Sequence, residues 1–217
     1  MTTTLTLFGQ AAARIEKDGR RLAFDPGAFS DPAVLEGADA VLLTHSHADH
    51  VVPADLARAL EGTDARVWAP ADLAADLREA GLGAARVHVA GPGDAIDAAG
   101  FDVRVLGGQH AVIHPELPHP ENLAYLVDGA LLHPGDSFVL PEDGVAVDVL
   151  LLPVSAPWMK LSEAAEHVRA VRPRIAVPIH DAILSDAGRG IVDKLLRQLV
   201  LDGTEYRRLA PGEALEA

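Results

Sequence analysis

The sequence predicts a mixed α/β fold (α+β in the way strands and helices segregate), with two halves that each combine sheet and helices. Three observations carry this. Strand-like segments come first, a helix–strand mixture follows, strands return, and the chain closes on alternating strands and helices. Neither an unbroken βαβ repeat nor an all-β alternation produces that order. Of the 217 residues, 49% are hydrophobic and 23% charged, an ordinary globular balance. No low-complexity tract, short-period repeat or linker interrupts the chain, so residues 1–217 are expected to form a single domain.

Residues 2–8 alternate Thr2, Thr4 and Thr6 against Leu5 and Leu7, which suits a half-buried strand. Arg14–Lys17 and Arg21–Phe24 read as strands around Asp18-Gly19, a hairpin turn signal. Asp25-Pro26-Gly27 stops that run. Val41-Leu42-Leu43 is a short all-apolar strand, the pattern of a strand covered on both faces. Pro53–Leu60 starts with proline and carries Asp55 in its first turn, both helix-start features. Pro70–Ala80 is a second helix closed by Gly81. Strands follow at Arg86–Val89 and Phe101–Leu106, and Ala111–Glu121 is a proline-rich loop. Leu123–Val127, Ala130–Leu132 and Val145–Leu152 are strand-like. A helix spans Ser162–Val171 with Ser162 as its N-cap. Arg174–Ile179 is a strand, Gly190–Leu201 a helix and Glu205–Leu209 a last strand.

Composition excludes several functions. The chain has no cysteine, so it has no disulfides, thiolate zinc sites or cysteine nucleophile. Its formal charge of −14 argues against a nucleic-acid partner, which normally demands a basic footprint. A small anionic substrate stays open, because a bound cation overrides the local field. The N-terminal residues lack a basic region and an apolar run, and no apolar stretch approaches the roughly 18–20 residues that span a bilayer. A cytoplasmic protein without a membrane partner is therefore expected.

Thr44-His45-Ser46-His47-Ala48-Asp49-His50 is the most informative stretch, with three histidines and one aspartate within six residues. It follows a buried strand and precedes a helix. His45 and His47 are two apart, so an extended segment presents both on one face. Asp49 and His50 fall where the chain turns towards the helix and can point elsewhere. Imidazole and carboxylate together suit zinc, and also iron or manganese. Four ligands from one loop do not complete two metal shells, so partners are sought further on. Gly108-Gln109-His110, Gly135-Asp136-Ser137 and Ile179-His180-Asp181 each place a ligand-type residue after a strand. Each alone is equally an ordinary loop histidine or turn aspartate.

As a set, His45-x-His47-x-Asp49-His50, His110, Asp136 and His180 resemble the signature of the metallo-β-lactamase superfamily, over almost the whole chain. The resemblance implies a four-layer αββα sandwich, the metallo-β-lactamase fold, with two divalent metal ions at one edge of the paired sheets. It implies one ion on His45, His47 and His110, the other on Asp49, His50 and His180, and Asp136 bridging both. Zinc is the first choice, with manganese or iron as alternatives. Asp25, in Phe24-Asp25-Pro26-Gly27, matches an early aspartate of the superfamily that steadies a ligand histidine; a plain turn aspartate is the other reading.

Within the superfamily the chain looks most like small stand-alone hydrolases near ascorbate-6-phosphate lactonase, through Asp25-Pro26-Gly27, His133-Pro134-Gly135-Asp136-Ser137 and Pro178-Ile179-His180-Asp181. Gly9-Gln10 departs from the Gly-His that relatives often carry there. The resemblance implies a hydrolase in which a hydroxide held between the metals cleaves a lactone or other ester of a small molecule, anionic ones included. A phosphodiester substrate, or a mononuclear iron oxygenase on the same fold, is the alternative. Asp49 is expected to pass a proton to the leaving group. His133 is either a general acid or substrate contact, or a strand-end histidine with its hydrogen bonds satisfied. His114 and His119 border the site or sit in solvent, and Lys160 binds an anion or merely caps a surface. The oligomeric state is not encoded in any motif.

Overall fold

Several strands bury both of their faces, and that decides the architecture. Leu123–Val127, Val149–Pro153 and Ile175–Ile179 have no exposed residue, so each needs a packed layer on either side. Two sheets stacked face to face, with helices outside each, meet that need. The computed structural model describes residues 3–200 and 202–216. The expected start of the first strand at Thr2 and the end of the last helix at Leu201 lie outside the described residues.

The N-terminal half runs β1 (Thr4–Leu7), β2 (Ala13–Lys17), β3 (Arg20–Phe24), a 3-10 turn (Pro32–Leu35), β4 (Ala40–Leu42), α1 (Pro53–Ala59), β5 (Arg66–Ala69), α2 (Ala71–Glu79) and β6 (Val87–Val89). The second half runs β7 (Ala95–Ala98), β8 (Phe101–Gly107), β9 (Leu123–Val127), β10 (Leu131–His133), β11 (Val149–Pro153), α3 (Leu161–Val171), β12 (Ile175–Ile179), α4 (Asp186–Leu199), β13 (Glu205–Tyr206) and β14 (Ala214–Glu216). Among the described residues these strands make two seven-stranded sheets, ordered β14-β1-β2-β3-β4-β5-β6 and β13-β12-β11-β10-β9-β8-β7. Asp18 and Gly19 both have positive φ, 53° and 77°, as the tight β2–β3 turn requires.

Three cores separate the four layers. Leu5, Ile15, Leu22 and Phe24 of the first sheet meet Phe101, Val103, Tyr125, Leu151 and Val177 of the second. Val41, Val67 and Ala69 turn outwards onto Leu56, Leu73 and Leu77 of α1 and α2. Leu132, Leu150, Leu152 and Ala176 turn outwards onto Ala164, Val168, Val192 and Leu196 of α3 and α4. This is the expected αββα sandwich. The Tyr125 hydroxyl crosses between the sheets and donates to the Leu43 carbonyl at 2.7 Å.

β3, β4, β5 and β6 run parallel, as do β10, β11, β12 and β13. Antiparallel pairing of β1 with β2 and of β2 with β3 brings the 8–12 turn to the edge where β3 and β4 end. The loops leaving β3, β4, β8, β10 and β12 carry the chemistry.

The structure amends several expected boundaries. β5, β7 and β14 are additional strands. β14 pairs with β1 across the length of the chain, Leu5 opposite Leu215. α3 starts one residue before Ser162. Its N-cap is Lys160, whose backbone N–H donates to Glu163 Oε2 at 2.6 Å, so Ser162 lies inside the first turn. α4 starts at Asp186, four residues before Gly190, with the Ser185 hydroxyl accepting from the Gly188 N–H at 3.2 Å. β11 begins at Val149, because Val145 sits in a turn that accepts no ladder.

Candidate metal centre

β4 delivers the chain into Thr44–His50, where the His50 and Val51 N–H groups both donate to the His47 carbonyl, at 2.9 and 3.0 Å. That turn folds Asp49 and His50 back beside His45 and leads into α1. Gly27 is what lets the 25–31 loop lie flat against it: a Cβ there would sit 1.9 Å from the Asp49 carbonyl oxygen. Gly135, with φ 59°, serves the same end on the other sheet. A side chain at Gly135 would strike Asn122 Oδ1 at 2.3 Å and Thr44 Cβ at 2.8 Å. Asn122 in turn accepts from the Asp136 N–H at 2.9 Å and donates to the Pro134 carbonyl at 2.9 Å, so the β10 turn is fixed at both ends.

All seven predicted ligand-type side chains converge. His45, His47, His110 and Asp136 form one group and Asp49, His50 and His180 a second, each with its ligand atoms within 4.8 Å of one another. Asp136 stands between them. Its Oδ1 is 3.1 Å from His50 Nε2 and 3.2 Å from His180 Nε2, and its Oδ2 is 3.3 Å from His110 Nε2. Asp49 Oδ2 is 3.3 Å from His180 Nε2 and 3.7 Å from His50 Nε2.

The ring orientations are set by the other nitrogen. His50 Nδ1 donates to Asp25 Oδ2 at 2.8 Å, His110 Nδ1 to the Ala111 carbonyl at 2.5 Å, and His180 Nδ1 to the Ser155 carbonyl at 2.7 Å. His45 Nδ1 donates to Thr44 Oγ1 at 3.0 Å, which itself donates to Asp25 Oδ2 at 2.7 Å. Carboxylates and carbonyls only accept, and the Thr44 hydroxyl spends its own hydrogen on Asp25, so each Nδ1 carries its hydrogen; Nε2 of His50, His110 and His180 is left to face the centre, while His45 Nε2 lies 3.1 Å from His47 Nδ1. Nε2 of His50, His110 and His180, with Oδ1 of Asp136, are buried and have no hydrogen-bond partner. Buried polar atoms are rarely left so, unless an ion or water completes them. The donor set of imidazoles and carboxylates is that of a zinc, iron or manganese site, so these residues fit a metal.

Electrostatics agree with the crowding. Burial favours the neutral ring of His180, but Asp136 and Asp49 outweigh it and hold the ring up at about 9. Burial likewise opposes ionisation of Asp49, yet His180 and His50 pull its carboxyl down to about 2. His45 has burial and neighbouring imidazoles against its charge, so it is held well below the ordinary histidine value. His47 and Asp49 are the partly exposed members, which leaves the centre open to solvent on their side.

Comparison with known proteins decides the family. A family profile described as the beta-lactamase superfamily domain matches residues 4–180. The chain belongs to the metallo-β-lactamase superfamily. Protein Rv0786c of Mycobacterium tuberculosis is 45% identical over 194 residues, 86% of this chain and 88% of that protein. A UPF0173 metal-dependent hydrolase of Thermofilum pendens is 32% identical over 201 residues, 81% of this chain and 82% of that one. The solved structure of Igni18, a metallo hydrolase from Ignicoccus hospitalis, shares the fold with a TM-score of 0.74 at 24% identity, covering 100% of this chain and 99% of that one. The chain is a metal-dependent hydrolase of this superfamily.

Other superfamily expectations fare differently. Asp25 is fully buried and binds His50 and Thr44, so it is no mere turn residue. His133 does not face a substrate. It is fully buried, its Nε2 donates to the Ala11 carbonyl at 3.0 Å, and its Nδ1 accepts from the Gly135 N–H at 3.1 Å. Its one proton is committed to the Ala11 carbonyl and its other nitrogen to the Gly135 N–H, so the reading of a strand-end histidine with satisfied hydrogen bonds fits and the general-acid expectation is withdrawn. His114, His119 and Lys160 are exposed and outside the cluster. Two contacts escape sequence reasoning. Trp158 Nε1 donates to Asp136 Oδ2 at 2.7 Å, and Gln10 Nε2 donates to Asp49 Oδ2 at 2.8 Å. Neither residue lies in the ligand motif; Gly9-Gln10 stands out in the sequence as a departure from Gly-His, but the bonds the two residues make are visible only in space.

Proposed function

We propose that this hydrolase works with two divalent ions, zinc first among them, and cleaves a lactone or other ester of a small molecule. His45, His47 and His110 would hold one ion, Asp49, His50 and His180 the other, and Asp136 both. The observation that carries this is the common ring setting: Nδ1 of His45, His50, His110 and His180 is tied to an acceptor, while Nε2 of His50, His110 and His180 is buried without a partner. Bound there, such ions supply a Lewis acid and bring the pKa of water down to around 7.

The chain's own residues then divide the remaining work. Asp49 is partly open to solvent, so its carboxylate is placed to take up a proton and return it to a departing alkoxide. Asp25 and Thr44 keep His45 and His50 from rotating. Two cations against the carboxylates of Asp49 and Asp136 leave the site positive within a protein of charge −14, which favours an anionic small molecule.

Metal analysis with an activity panel of lactones, simple esters, thioesters and phosphodiesters tests the reading. About two zinc or manganese per chain and turnover of a lactone or ester support it, with Asp136→Ala inactive yet folded. Phosphodiester turnover alone shifts the substrate class. One iron per chain with oxygen consumption overturns it in favour of an oxygenase.

A further inference from the structure

Gln10 is the unexplained residue of this site. It sits in the turn between β1 and β2 with φ 48°, a left-handed backbone that disfavours every side chain except Gly, Asn and Asp. The turn does not need its side chain: Ala12 N–H donates to the Gly9 carbonyl at 2.9 Å and Phe8 N–H to the Ala12 carbonyl at 2.8 Å. Yet Gln10 is only 3% exposed and reaches across the sandwich edge. Its Oε1 accepts from the Ala182 N–H at 3.1 Å, its Nε2 donates to Asp49 Oδ2 at 2.8 Å, and its backbone carbonyl accepts from the His180 N–H at 2.8 Å.

These three bonds define one geometry. Because Ala182 N–H is a donor, the amide oxygen must face it, and the amide nitrogen must face Asp49. The oxygen of Asp49 that receives this bond is the one that faces His180 Nε2 and His50 Nε2. At the other end, His180 also has a left-handed backbone, φ 60°, and its N–H is held by Gln10 itself. One residue thus ties together two members of the Asp49–His50–His180 group, and makes no hydrogen bond to His45, His47 or His110. An amide also carries no charge, so Asp49 keeps its whole negative charge for a cation.

We propose that Gln10 is a positioning residue for the second metal position: it holds Asp49 and His180 in register so that the Asp49–His50–His180 group can bind its ion. The inference rests on the two-ion reading above. It makes the two positions separable, since the first should not sense a change at Gln10.

The test is zinc binding rather than turnover. Metal-stripped wild type and Gln10→Asn are titrated with zinc in competition with a chromophoric chelator, and folding is checked by circular dichroism. Asparagine tolerates the left-handed backbone but is one methylene too short to reach Asp49. The expected result is an unchanged first zinc and a second zinc bound about 10–100-fold more weakly, the usual cost of losing a partner behind a ligand. If Gln10→Asn does not fold, Gln10→Met, which keeps the length and lacks the donor, is read the same way. Two zinc ions bound by the variant as tightly as by wild type overturn the role of Gln10 alone. A wild type that takes up a single zinc overturns the two-ion reading and this inference with it.

Discussion

Asp25 Oδ2 stands 2.8 Å from His50 Nδ1, and both side chains are wholly buried. The same carboxylate accepts from the Thr44 N–H at 2.8 Å and the Thr44 hydroxyl at 2.7 Å, and Thr44 passes the connection to His45. One carboxylate therefore fixes the tautomer of a ligand-type histidine in each half of the site. The ordering follows from the last residue of β3 being followed by a left-handed Asp25, φ 44°, which turns the side chain inwards beside β4.

Asp25→Asn should consequently weaken metal binding without emptying the fold. The amide offers N–H where His50 Nδ1–H also donates, so one of the two must turn away. Metal affinity is expected to fall about 10–100-fold and stability by about 1–3 kcal/mol for the donor left unpaired. Chelator competition and urea unfolding measure the two effects separately. Undiminished metal affinity would refute the orienting role.

Trp158 gives the site an optical reporter. Its indole donates to Asp136 Oδ2, and its ring lies 6.2 Å from that of His110 and 6.5 Å from that of His180. The chain's other tryptophan, Trp68, is buried between the sheets and stacked on His88 at 5.0 Å. Zinc added to metal-stripped protein should change the emission of Trp158, and Trp158→Phe should abolish that change while the Trp68 signal stays constant. A metal-dependent signal that survives in Trp158→Phe would place the response elsewhere.

How much of this was legible beforehand follows from what each residue does. The 45–50 cluster was readable because binding a metal demands uncommon side chains close together, and the three distant partners were readable because each follows a strand. The helices with one apolar stripe were found for the same reason as any amphipathic helix. β14 was not readable: Ala214-Leu215-Glu216 has little strand propensity, and its partner β1 lies at the far end of the chain. Ala95–Ala98, a sheet-edge strand, fails likewise. Gly188 and Gly190 hid the first turn of α4, whose burial against the sheet through Val192 and Leu196 outweighs their poor propensity. Gln10 stood out as a departure from Gly-His, but the bonds made by Gln10 and Trp158 were silent, because a hydrogen bond to a ligand leaves no spacing rule.

His133 separates a structural histidine from a catalytic one by magnitude. Loss of a general acid costs about 10²–10⁴-fold in rate. His133→Ala instead strands the Ala11 carbonyl and the Gly135 N–H, each worth about 1–3 kcal/mol when buried. The expected variant is clearly less stable in urea but loses less than about tenfold in kcat per folded, metal-loaded molecule. A drop of about a thousandfold in a protein of unchanged stability would restore it to the chemistry.

The metal-free site should hold protons where the cations belong. His180 is raised to about 9, because Asp136 and Asp49 outweigh the burial that would lower it, and His50 is raised for the same kind of reason by Asp136 and Asp25. A proton is thus favoured on His180, and His50 is shifted the same way, whereas a metal needs the neutral Nε2 lone pair, so loading must expel what protons these rings hold. The sign follows directly. A ring whose folded value lies above its ordinary 6.5 stabilises the metal-free fold fully below pH 6.5 and loses that contribution as pH rises through about 9. Metal affinity runs the opposite way, climbing across the same window. Zinc titrations at pH 7 in buffers of different ionisation heat should report net proton release on loading, and the urea midpoint of stripped protein should fall between pH 7 and 9. Heats independent of the buffer would show that His50 and His180 are already neutral, and that the carboxylates do not govern the site.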